Sequence, residues 1–370
     1  MTHAIDRDAL LDALRHVASI VENRNVVPIV GHVLIEIGAD GWTITGTDLN
    51  LHASARVAGD PGELAITVPA DRLVAAVSSL RPGAIGFALE ASAGLGQMAV
   101  LTQGRSSRKL ATLPAADFPQ FRPPEDAARF TLPAAALLRL LDVASVAVGS
   151  DNARPYLEGV FLHARPEGLF AAATNGNILV RASARVPDGA AEMPDMIVPA
   201  KAVNLVRRLI GAKPAGDVTI EADARRIGLT IGQASVQAKL IDGSYPDYTR
   251  VIPAEGDKAV TAQRDALIGA VKAVAAVSSE KTRGIKVTLG EEAELSVTDP
   301  EGAAAVEPLD GDCAGGAIEF GINAAYLQAI AGIFGEASRV RLGLTTPQTA
   351  VLITAEAEPD LIAVIMPMRV

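Results

Sequence analysis

The sequence predicts an α+β protein of three similar domains, each built from paired units of one helix and a few antiparallel strands. Two observations predict this fold class: stretches with helical periodicity recur at nearly equal spacing, and short alternating runs lie between them. The chain has 370 residues, which suits two or three domains of ordinary size. Hydrophobic residues make up 49% and charged residues 21%, a composition typical of chains that fold throughout.

Six stretches with helical periodicity mark the shorter repeat, and one recurs about every 63 residues. Four of them follow an apolar residue and then Pro or Asn, which are common in the first turn and at the cap of a helix. The predicted helices begin at Asp6, Ala70, Pro133, Ala200, Asp265 and Asn323.

Short alternating or β-branched runs predict antiparallel strands between the helices. Examples are residues 33–37, 42–45 and 228–231. Turn sequences separate such runs, including those at residues 60–62, 175–176 and 242–243.

A longer period of roughly 125 residues groups these units in pairs. The segments 45–48, 173–176 and 297–300 recur at this interval, and so do the domain exits at 116–119 and 245–248. The alternative is that an Ala-rich chain produces such similarities by chance, but six helices and three hairpins in one register favour a repeat. We therefore expect domains at residues 1–124, 125–253 and 254–370.

Composition excludes some classes of protein. A net charge of -10 argues against a protein whose whole surface binds phosphate, so contact with DNA would need a segregated basic face. Neither a signal peptide nor an apolar stretch of about 18 residues is present, so we expect no export and no membrane insertion. The single cysteine, Cys313, cannot form an intramolecular disulfide, and a cytoplasmic location is expected.

The fourth predicted helix places positive charge on one side. Lys201 and Arg208 lie seven positions apart, while Val203, Val206 and Ile210 share another face. Arginines and lysines also occur in or near four other predicted helices, although a solvated helix face explains any one of them equally well. They are Arg15, Arg24, Arg72, Arg81, Arg139, Arg264 and Lys272.

Helix spacing limits what a ring of such units could enclose. Six helices about 10 Å apart would leave a hole of roughly 9 Å, which is too small for duplex DNA. Twelve helices from two chains would leave a hole of roughly 28 Å by the same arithmetic. Such a dimeric ring would hold a duplex by topology, and weak phosphate contacts would let it slide.

We found no arrangement of residues that predicts catalysis, a metal site or a cofactor. Residues 94–99 match the letters of a dinucleotide-binding motif, but the following residues indicate a strand where that motif needs a helix. Residues 106–109 and 278–281 have a Ser-x-x-Lys spacing without its companion motifs. The five histidines lack metal-ligand spacing, and Cys313 is expected in a loop.

Several segments resemble one family, the bacterial sliding clamp, which is the β subunit of the replicative DNA polymerase. They are residues 24–31 (RNVVPIVG), 45–49 (TGTDL), 110–119 (LATLPAADFP), 239–248 (KLIDGSYPDY), 279–284 (SEKTRG) and 366–369 (MPMR). The resemblance implies the clamp fold, a non-catalytic role and a head-to-tail homodimer with helices lining the hole.

The resemblance also implies three sets of functional residues. DNA without sequence preference would be bound by Arg24, Arg72, Arg154, Tyr156, Lys201 and Arg208. The dimer interface would include Arg72, Arg105, Arg108, Leu110, Ala276 and Val277, with Glu301 or Glu307 as acidic partners. Short linear motifs of partners would dock at Leu157, Thr174, Gly176, Asn177, Ile178, Leu179, Pro246, Arg250, Val251, Asn323, Tyr326, Val364, Ile365, Met366, Pro367, Met368 and Arg369.

Partners implied by the family are duplex DNA, a second copy of the chain, the replicative polymerase, a clamp loader and repair polymerases. Three departures from the family pattern bear on them. Asn177 and Ile178 replace a histidine and an arginine, so the rim around Ile178 should be less polar, while Pro155 and Arg108 stand where aromatics are common. These departures leave two alternatives open: a divergent second clamp, antibiotic-tolerant or serving a repair polymerase, and a monomeric peptide-binding scaffold.

Overall fold

The computed structural model describes residues 1–22, 26–92, 96–150, 153–211, 214–277, 284–298 and 302–369. Contacts divide the chain into two compact units. Unit 1 comprises Met1–Leu138, Pro187–Pro194 and Lys201–Leu240. Unit 2 comprises Arg139–Val186, Asp195–Ala200 and Ile241–Val370.

All six predicted helices are confirmed within one residue of their expected starts. Asp6 caps the first helix by accepting bonds from the N–H groups of Asp8 and Ala9, and Asn323 caps the sixth in the same way. The helices are α1 (Arg7–Ala18), α2 (Ala70–Ser78), α3 (Ala134–Ser145), α4 (Ala200–Ile210), α5 (Arg264–Ala275) and α6 (Ala324–Ala331). Among the described residues, no helix has both the length and the apolar character of a membrane span.

The strands of the first half of the described chain are β1 (Thr2–Asp6), β2 (His32–Gly38), β3 (Gly41–Thr47), β4 (Leu51–Val57), β5 (Leu64–Pro69), β6 (Ala84–Ser92), β7 (Gly96–Gln103), β8 (Ser106–Ala111), β9 (Leu113–Pro114), β10 (Ala128–Pro133), β11 (Gly159–Arg165), β12 (Gly168–Thr174) and β13 (Ile178–Ala184). Those of the second half are β14 (Met196–Pro199), β15 (Asp217–Ala222), β16 (Arg226–Ile231), β17 (Ala234–Lys239), β18 (Lys258–Gln263), β19 (Gly284–Leu289), β20 (Ala293–Thr298), β21 (Ala304–Leu309), β22 (Gly311–Ala314), β23 (Ile318–Asn323), β24 (Arg339–Leu344), β25 (Val351–Ala355) and β26 (Leu361–Ile365).

Each unit contains one four-stranded and one nine-stranded antiparallel sheet. In unit 1 the orders are β1-β6-β7-β8 and β10-β15-β16-β17-β4-β3-β2-β5-β9. In unit 2 they are β21-β20-β19-β23 and β14-β11-β12-β13-β26-β25-β24-β18-β22.

Eight strands of each nine-stranded sheet share one order, which confirms the internal repeat. The order β5-β2-β3-β4-β17-β16-β15-β10 in unit 1 matches β14-β11-β12-β13-β26-β25-β24-β18 in unit 2. This match identifies equivalent residues in the two units. For example, Thr47 is the last residue of β3, and Thr174 is the last residue of β12. The expected domain boundaries remain a prediction.

Helix α4 shows how the periodic pattern sets burial. Val203, Val206 and Ile210 are buried, as their spacing predicts, and Arg207 and Arg208 lie in the last turn. One expectation is wrong. Cys313 lies on β22, where it pairs with Val260, and not in a loop.

Candidate functional site

The turn between β12 and β13 in unit 2 is fixed by side chains of the chain itself. The Thr174 hydroxyl donates to the carbonyl of Ile178 at 2.6 Å and accepts from the N–H of Gly176 at 3.1 Å. The Asn175 side chain accepts from the N–H groups of Asn177 at 2.9 Å and Ile178 at 3.1 Å. Gly176 has φ +90°, a left-handed conformation that favours glycine. The turn is therefore rigid, with Asn177 exposed on it.

The C-terminal segment is attached to this turn. Strand β26 pairs with β13 so that Val364 lies opposite Leu179 and Ile365 opposite Ile178. Beyond the strand, the N–H of Met366 donates to the carbonyl of Asn177 at 2.8 Å. Residues that are far apart in the sequence thus meet at one edge of the turn.

Exposure divides the apolar members of the predicted docking set into a floor and a rim. Leu179 and Val364 are each 3% exposed and pack in one cluster with Tyr248. Val251 is 55% exposed and Met366 is 46% exposed, and Met368 is also exposed. The three exposed side chains therefore offer apolar surface to solvent, whereas Leu179 and Val364 lie in the core.

The expectation for Ile178 is corrected by its burial. Ile178 is only 2% exposed, so its side chain lies in the core and not on the surface. Ile178 therefore does not make the rim less polar. Ile365 and Leu157 are buried as well.

The remaining predicted docking residues are polar or lie at the edges. The Asn323 side chain is occupied in capping α6, Tyr326 is half-buried one turn further on, and Pro246, Arg250 and Arg369 are exposed. A cavity of about 570 Å³ in unit 2 is bounded in part by Pro367, Met368 and Arg369. Its other lining residues, which include Lys286 and Gln348, carry no signal in the sequence, because separate strands and loops bring them there.

Arg154 lies at this turn. Its Nη1 atom is 3.0 Å from the position that a Cβ on Gly176 would occupy. We expected Arg154 to face DNA, so its placement beside Gly176 adds a guanidinium to the candidate docking site.

The other predicted DNA-binding residues are not all available as cations. Arg24 lies outside the described residues, Arg72 is exposed on α2, and Tyr156 is half-buried. The Lys201 ammonium donates to Glu22 at 3.1 Å and to Asp48, whose side chain is only 8% exposed.

Lys201 is therefore part of an ion-paired group in unit 1. Burial by itself would lower the pKa of Lys201, but hydrogen bonds to Asp48 and Glu22 outweigh burial and raise it. Arg208 contacts a neutral group, donating to the Ser19 hydroxyl at 3.2 Å. Compared with Lys201, Arg208 thus has more charge to offer a phosphate.

The predicted dimer residues lie on or near sheet edges. Strand β8 is an edge strand of the four-stranded sheet in unit 1, and it carries Arg108 and Leu110, both half-buried, beside the exposed Arg105. The Arg108 guanidinium donates to the Ser79 hydroxyl at 2.8 Å. In unit 2, Ala276 is the C-cap of α5 and is followed by the half-buried Val277.

Strand β21 is an edge strand of the four-stranded sheet in unit 2. It carries Glu307 and Val306, and Val306 is 60% exposed. No sequence pattern singles out Val306, because one valine in an alternating run has no distinguishing signal. Glu301 lies outside the described residues.

Where the structure describes residues of the apparent catalytic motifs, those residues have structural roles. The motif at residues 94–99 joins two strands, β6 and β7, that pair antiparallel, although residues 93–95 themselves are not described. Lys109 of the first Ser-x-x-Lys match, on β8, forms an ion pair with Glu90 on β6. The second match falls within residues 278–283, outside the described residues. In the described part of the chain, no group of three or more His, Cys, Asp or Glu residues has the geometry of a metal site.

Comparison with known proteins covers the whole chain. Models of the DNA polymerase III beta subunit match its N-terminal domain at residues 1–122, its central domain at 131–247 and its C-terminal domain at 249–369. The beta sliding clamps of Caulobacter vibrioides and Pseudomonas putida are 35% and 34% identical to this chain, and each match covers 100% of both chains.

Solved structures agree with these matches. A crystal structure of the C. crescentus beta sliding clamp aligns with a TM-score of 0.93 at 33% identity. The sliding clamp of Bartonella birtlesii bound to griselimycin aligns with a TM-score of 0.94 at 30% identity, and both alignments cover 100% of each chain. The chain has the three-domain clamp fold and belongs to the DNA polymerase III beta subunit family, the beta sliding clamps.

Proposed function

We propose that this protein is a sliding clamp that encircles duplex DNA as a homodimer and keeps a DNA polymerase on its template. The observation that carries the proposal is the similarity to clamps along the whole chain. Three successive clamp domains match it from end to end, and named clamps are 33–35% identical to it. In this role it is a non-catalytic accessory subunit that needs no cofactor and acts in the cytoplasm.

Two unpaired sheet edges support ring closure. Strand β8 ends one four-stranded sheet and β21 ends the other, and each has backbone groups available for pairing. In the proposed dimer, the first domain of one copy meets the third domain of the other, so that β8 adds to the sheet that β21 ends. Exposed pairs between Arg72 or Arg105 and Glu307 would contribute under about 1 kcal/mol, so burial of residues such as Val306 must supply most of the stability.

Contact with DNA is proposed to be weak and without sequence preference. Arg208 binds phosphate directly, helped by Arg72 and Arg24, while Lys201 chiefly holds the acidic side chains of Asp48 and Glu22. Phosphate contacts carry no base information, and a closed ring stays on DNA without strong binding.

Partner proteins are proposed to dock at the β12–β13 turn through short extended motifs. Val251, Met366 and Met368 supply exposed apolar surface, and Arg154, Arg250 and Arg369 supply donors for the polar part of the motif. Fully burying one large apolar side chain contributes roughly 1.5–3 kcal/mol, which is enough to retain a short peptide. The replicative polymerase, the clamp loader and repair polymerases are the proposed carriers of such motifs.

A direct test combines solution mass with retention on DNA. The protein should have about twice its chain mass at micromolar concentration. When loaded by a clamp loader, it should remain on closed circular DNA and slide off the ends of the same DNA after linearisation. A monomeric mass, or equal retention on both forms, would contradict the proposal.

One observation favours the monomeric scaffold as a second candidate. Arg108, which stands where the family often has an aromatic, is bound to Ser79 of its own chain. That contact could leave β8 with less apolar surface for a second copy. The mass measurement distinguishes the two candidates.

A further inference from the structure

A cavity of about 760 Å³ lies over one face of the nine-stranded sheet in unit 2. Its floor includes His163 on β11 and Phe170 on β12, which are cross-strand partners, and Arg181 on β13, which pairs with Ala172 and so lies diagonal to Phe170. The segment from Tyr245 to Thr249 forms one wall. Pro246 is the one residue that this lining shares with the predicted docking set, and the cavity adjoins that site, because its Phe161, Tyr245 and Tyr248 belong to or pack against the cluster of Leu179 and Val364.

Planar groups form a continuous row along the cavity. Tyr245 stacks on Phe161 with ring centroids 4.6 Å apart and an interplanar angle of 2°. Phe161 lies 4.6 Å from His163, and His163 stacks on Phe170 at 5.3 Å. The row ends at Arg181, whose Cζ lies 5.2 Å from the Phe170 ring centroid.

Arg181 has hydrogen-bonding capacity that the described residues do not use. Its Nε atom is buried and has no hydrogen-bond partner, and Arg181 takes part in no ion pair within the described ranges. The second cavity arginine, Arg165, is fully engaged by both Asp195 oxygens at 2.7 Å. A buried donor without an acceptor is costly, so an acceptor supplied by a ligand would be favourable here.

The charged groups of the cavity besides Arg181 are Arg165 and three carboxylates, Glu167, Asp195 and Asp247. Glu167 is exposed on the β11–β12 turn, and Asp247 already accepts bonds from Thr249. The Nε2 atom of His163 is 2.9 Å from the Tyr248 hydroxyl, and its buried Nδ1 has no hydrogen-bond partner among the described residues. The unmatched positive charge is therefore that of Arg181.

The clamp fold itself does not require this row. The equivalent strands of unit 1 follow the same register, yet their four corresponding residues are neither aromatic nor basic: Leu34, Glu36, Thr43 and Ser54. The planar row is thus a property of this one sheet.

We propose that the cavity is a binding site for a small planar aromatic carboxylate. The carboxylate accepts charge-assisted hydrogen bonds from Arg181, and the ring packs against Phe170 and Tyr248. The volume falls within the range of ordinary small-molecule sites. Neither ring formation nor motif docking is needed for this binding.

Calorimetric titration of the full chain with 2-naphthoate and with its neutral counterpart 2-naphthamide tests the proposal. We expect the acid to bind saturably and the amide to bind at least about tenfold more weakly than the acid. This is the usual effect of losing a charged hydrogen-bond partner. This comparison needs no variant, so it does not depend on how a substitution affects folding.

Variants then locate the site. Arg181→Met should weaken 2-naphthoate binding about tenfold and remove its advantage over the amide. Phe170→Leu should weaken both probes. Arg225→Met, which removes an exposed arginine in unit 1, and Met366→Ala at the docking site should leave both affinities unchanged. No binding of the acid up to millimolar concentration, or equal affinity for Arg181→Met, would overturn the proposal.

Discussion

Met366 donates its backbone N–H to the carbonyl of Asn177 at 2.8 Å, and this bond has a counterpart in unit 1. There, Lys239 donates to the carbonyl of Asn50 at 2.9 Å. The turns that carry the two acceptors are also alike, because Asp48 accepts from the N–H of Asn50 at 2.9 Å as Asn175 does from that of Asn177. The repeated sequence therefore builds the same junction twice.

What differs between the junctions is the side chain that lies over them. In unit 1, the ring of Phe121 lies 4.7 Å from that of His52. Counting from the shared aspartates Asp117 and Asp247, the counterpart of Phe121 is Val251, which is 55% exposed. The larger aromatic covers its junction, and the smaller valine leaves the unit 2 junction open. This difference supports the proposed docking of partners in unit 2.

The repeat leads to a stability prediction at Leu49. Leu49 has φ +77°, and its counterpart Gly176 has φ +90°. A left-handed conformation costs a residue with a side chain about 1 kcal/mol. Leu49→Gly should therefore raise the free energy of unfolding by no more than about 0.5 kcal/mol in urea titrations, because the greater entropy that glycine gives the unfolded chain offsets part of the relieved strain. Gly176→Ala should lower it and displace Arg154, and a loss of stability in Leu49→Gly would contradict this account.

Local patterns were enough to predict the elements of the fold. Helical periodicity and the caps at Asp6 and Asn323 predicted the helices, and short alternating runs predicted the strands, since both signals act within a few residues. The repeat then predicted three similar domains, which the comparisons confirm.

Contacts between distant residues could not be predicted in this way. The bond from Lys201 to Asp48 and the pairing of β17 with β4 join segments more than 150 residues apart, and no local signal encodes such partners. The prediction that Ile178 lies on the rim was wrong for a similar reason, because the side of the sheet that a residue faces depends on the register of its strand. Recognition of the family named the docking residues, but only the structure separates the buried floor from the exposed rim.

The different surroundings of Lys201 and Arg208 predict different roles. Lys201→Met should lower the free energy of unfolding, because Asp48 loses its cation. The loss should be limited to about 1 kcal/mol, because Lys201 is partly exposed. Arg208→Met should have little effect on stability but should reduce the slope of log affinity for DNA against log salt by about 1. Urea unfolding and DNA titrations at several salt concentrations measure the two effects. Equal behaviour of the two variants in both assays would show that the ion pairs do not set them apart.

Stability should fall as pH is lowered from about 6.5 towards 4, in part because of His163. Burial lowers the pKa of His163 to about 4, and nearby Arg165 and Arg181 add to this effect while Asp195 opposes it. The unfolded imidazole, with a pKa near 6.5, takes up its proton first, so acid favours the unfolded state by up to about 3 kcal/mol. His163→Gln should flatten the dependence between pH 6.5 and 4. Urea midpoints of the wild type and the variant should be measured across that window. Equal loss of stability in both would disprove the role of His163.

Two exposed valines should separate dimer formation from partner docking. Val306→Asp places a charge on the edge strand β21 and should give a monomer in solution, because the interface would have to bury that charge. Val251→Asp makes the same change at a similarly exposed site and should leave the dimer intact while weakening peptide binding. Sedimentation and peptide titration of both variants form a reciprocal test. Loss of the dimer in Val251→Asp, or its persistence in Val306→Asp, would place the interface elsewhere.

Met366 should anchor the partner motif. A pentapeptide rich in Gln and Leu and ending in Leu-Phe should bind the wild type, because its apolar side chains cover Met366 and Val251. Met366 is 46% exposed, so truncation removes about half of a full burial, or about 1 kcal/mol. Met366→Ala should therefore bind the peptide about fivefold more weakly in calorimetric titration. Met98→Ala, which changes a half-buried methionine on β7 in unit 1, should bind as the wild type does. Because the Met366 N–H bond to Asn177 involves only the backbone, the alanine variant keeps the turn in place, and equal binding by Met366→Ala would remove this side chain from the docking site.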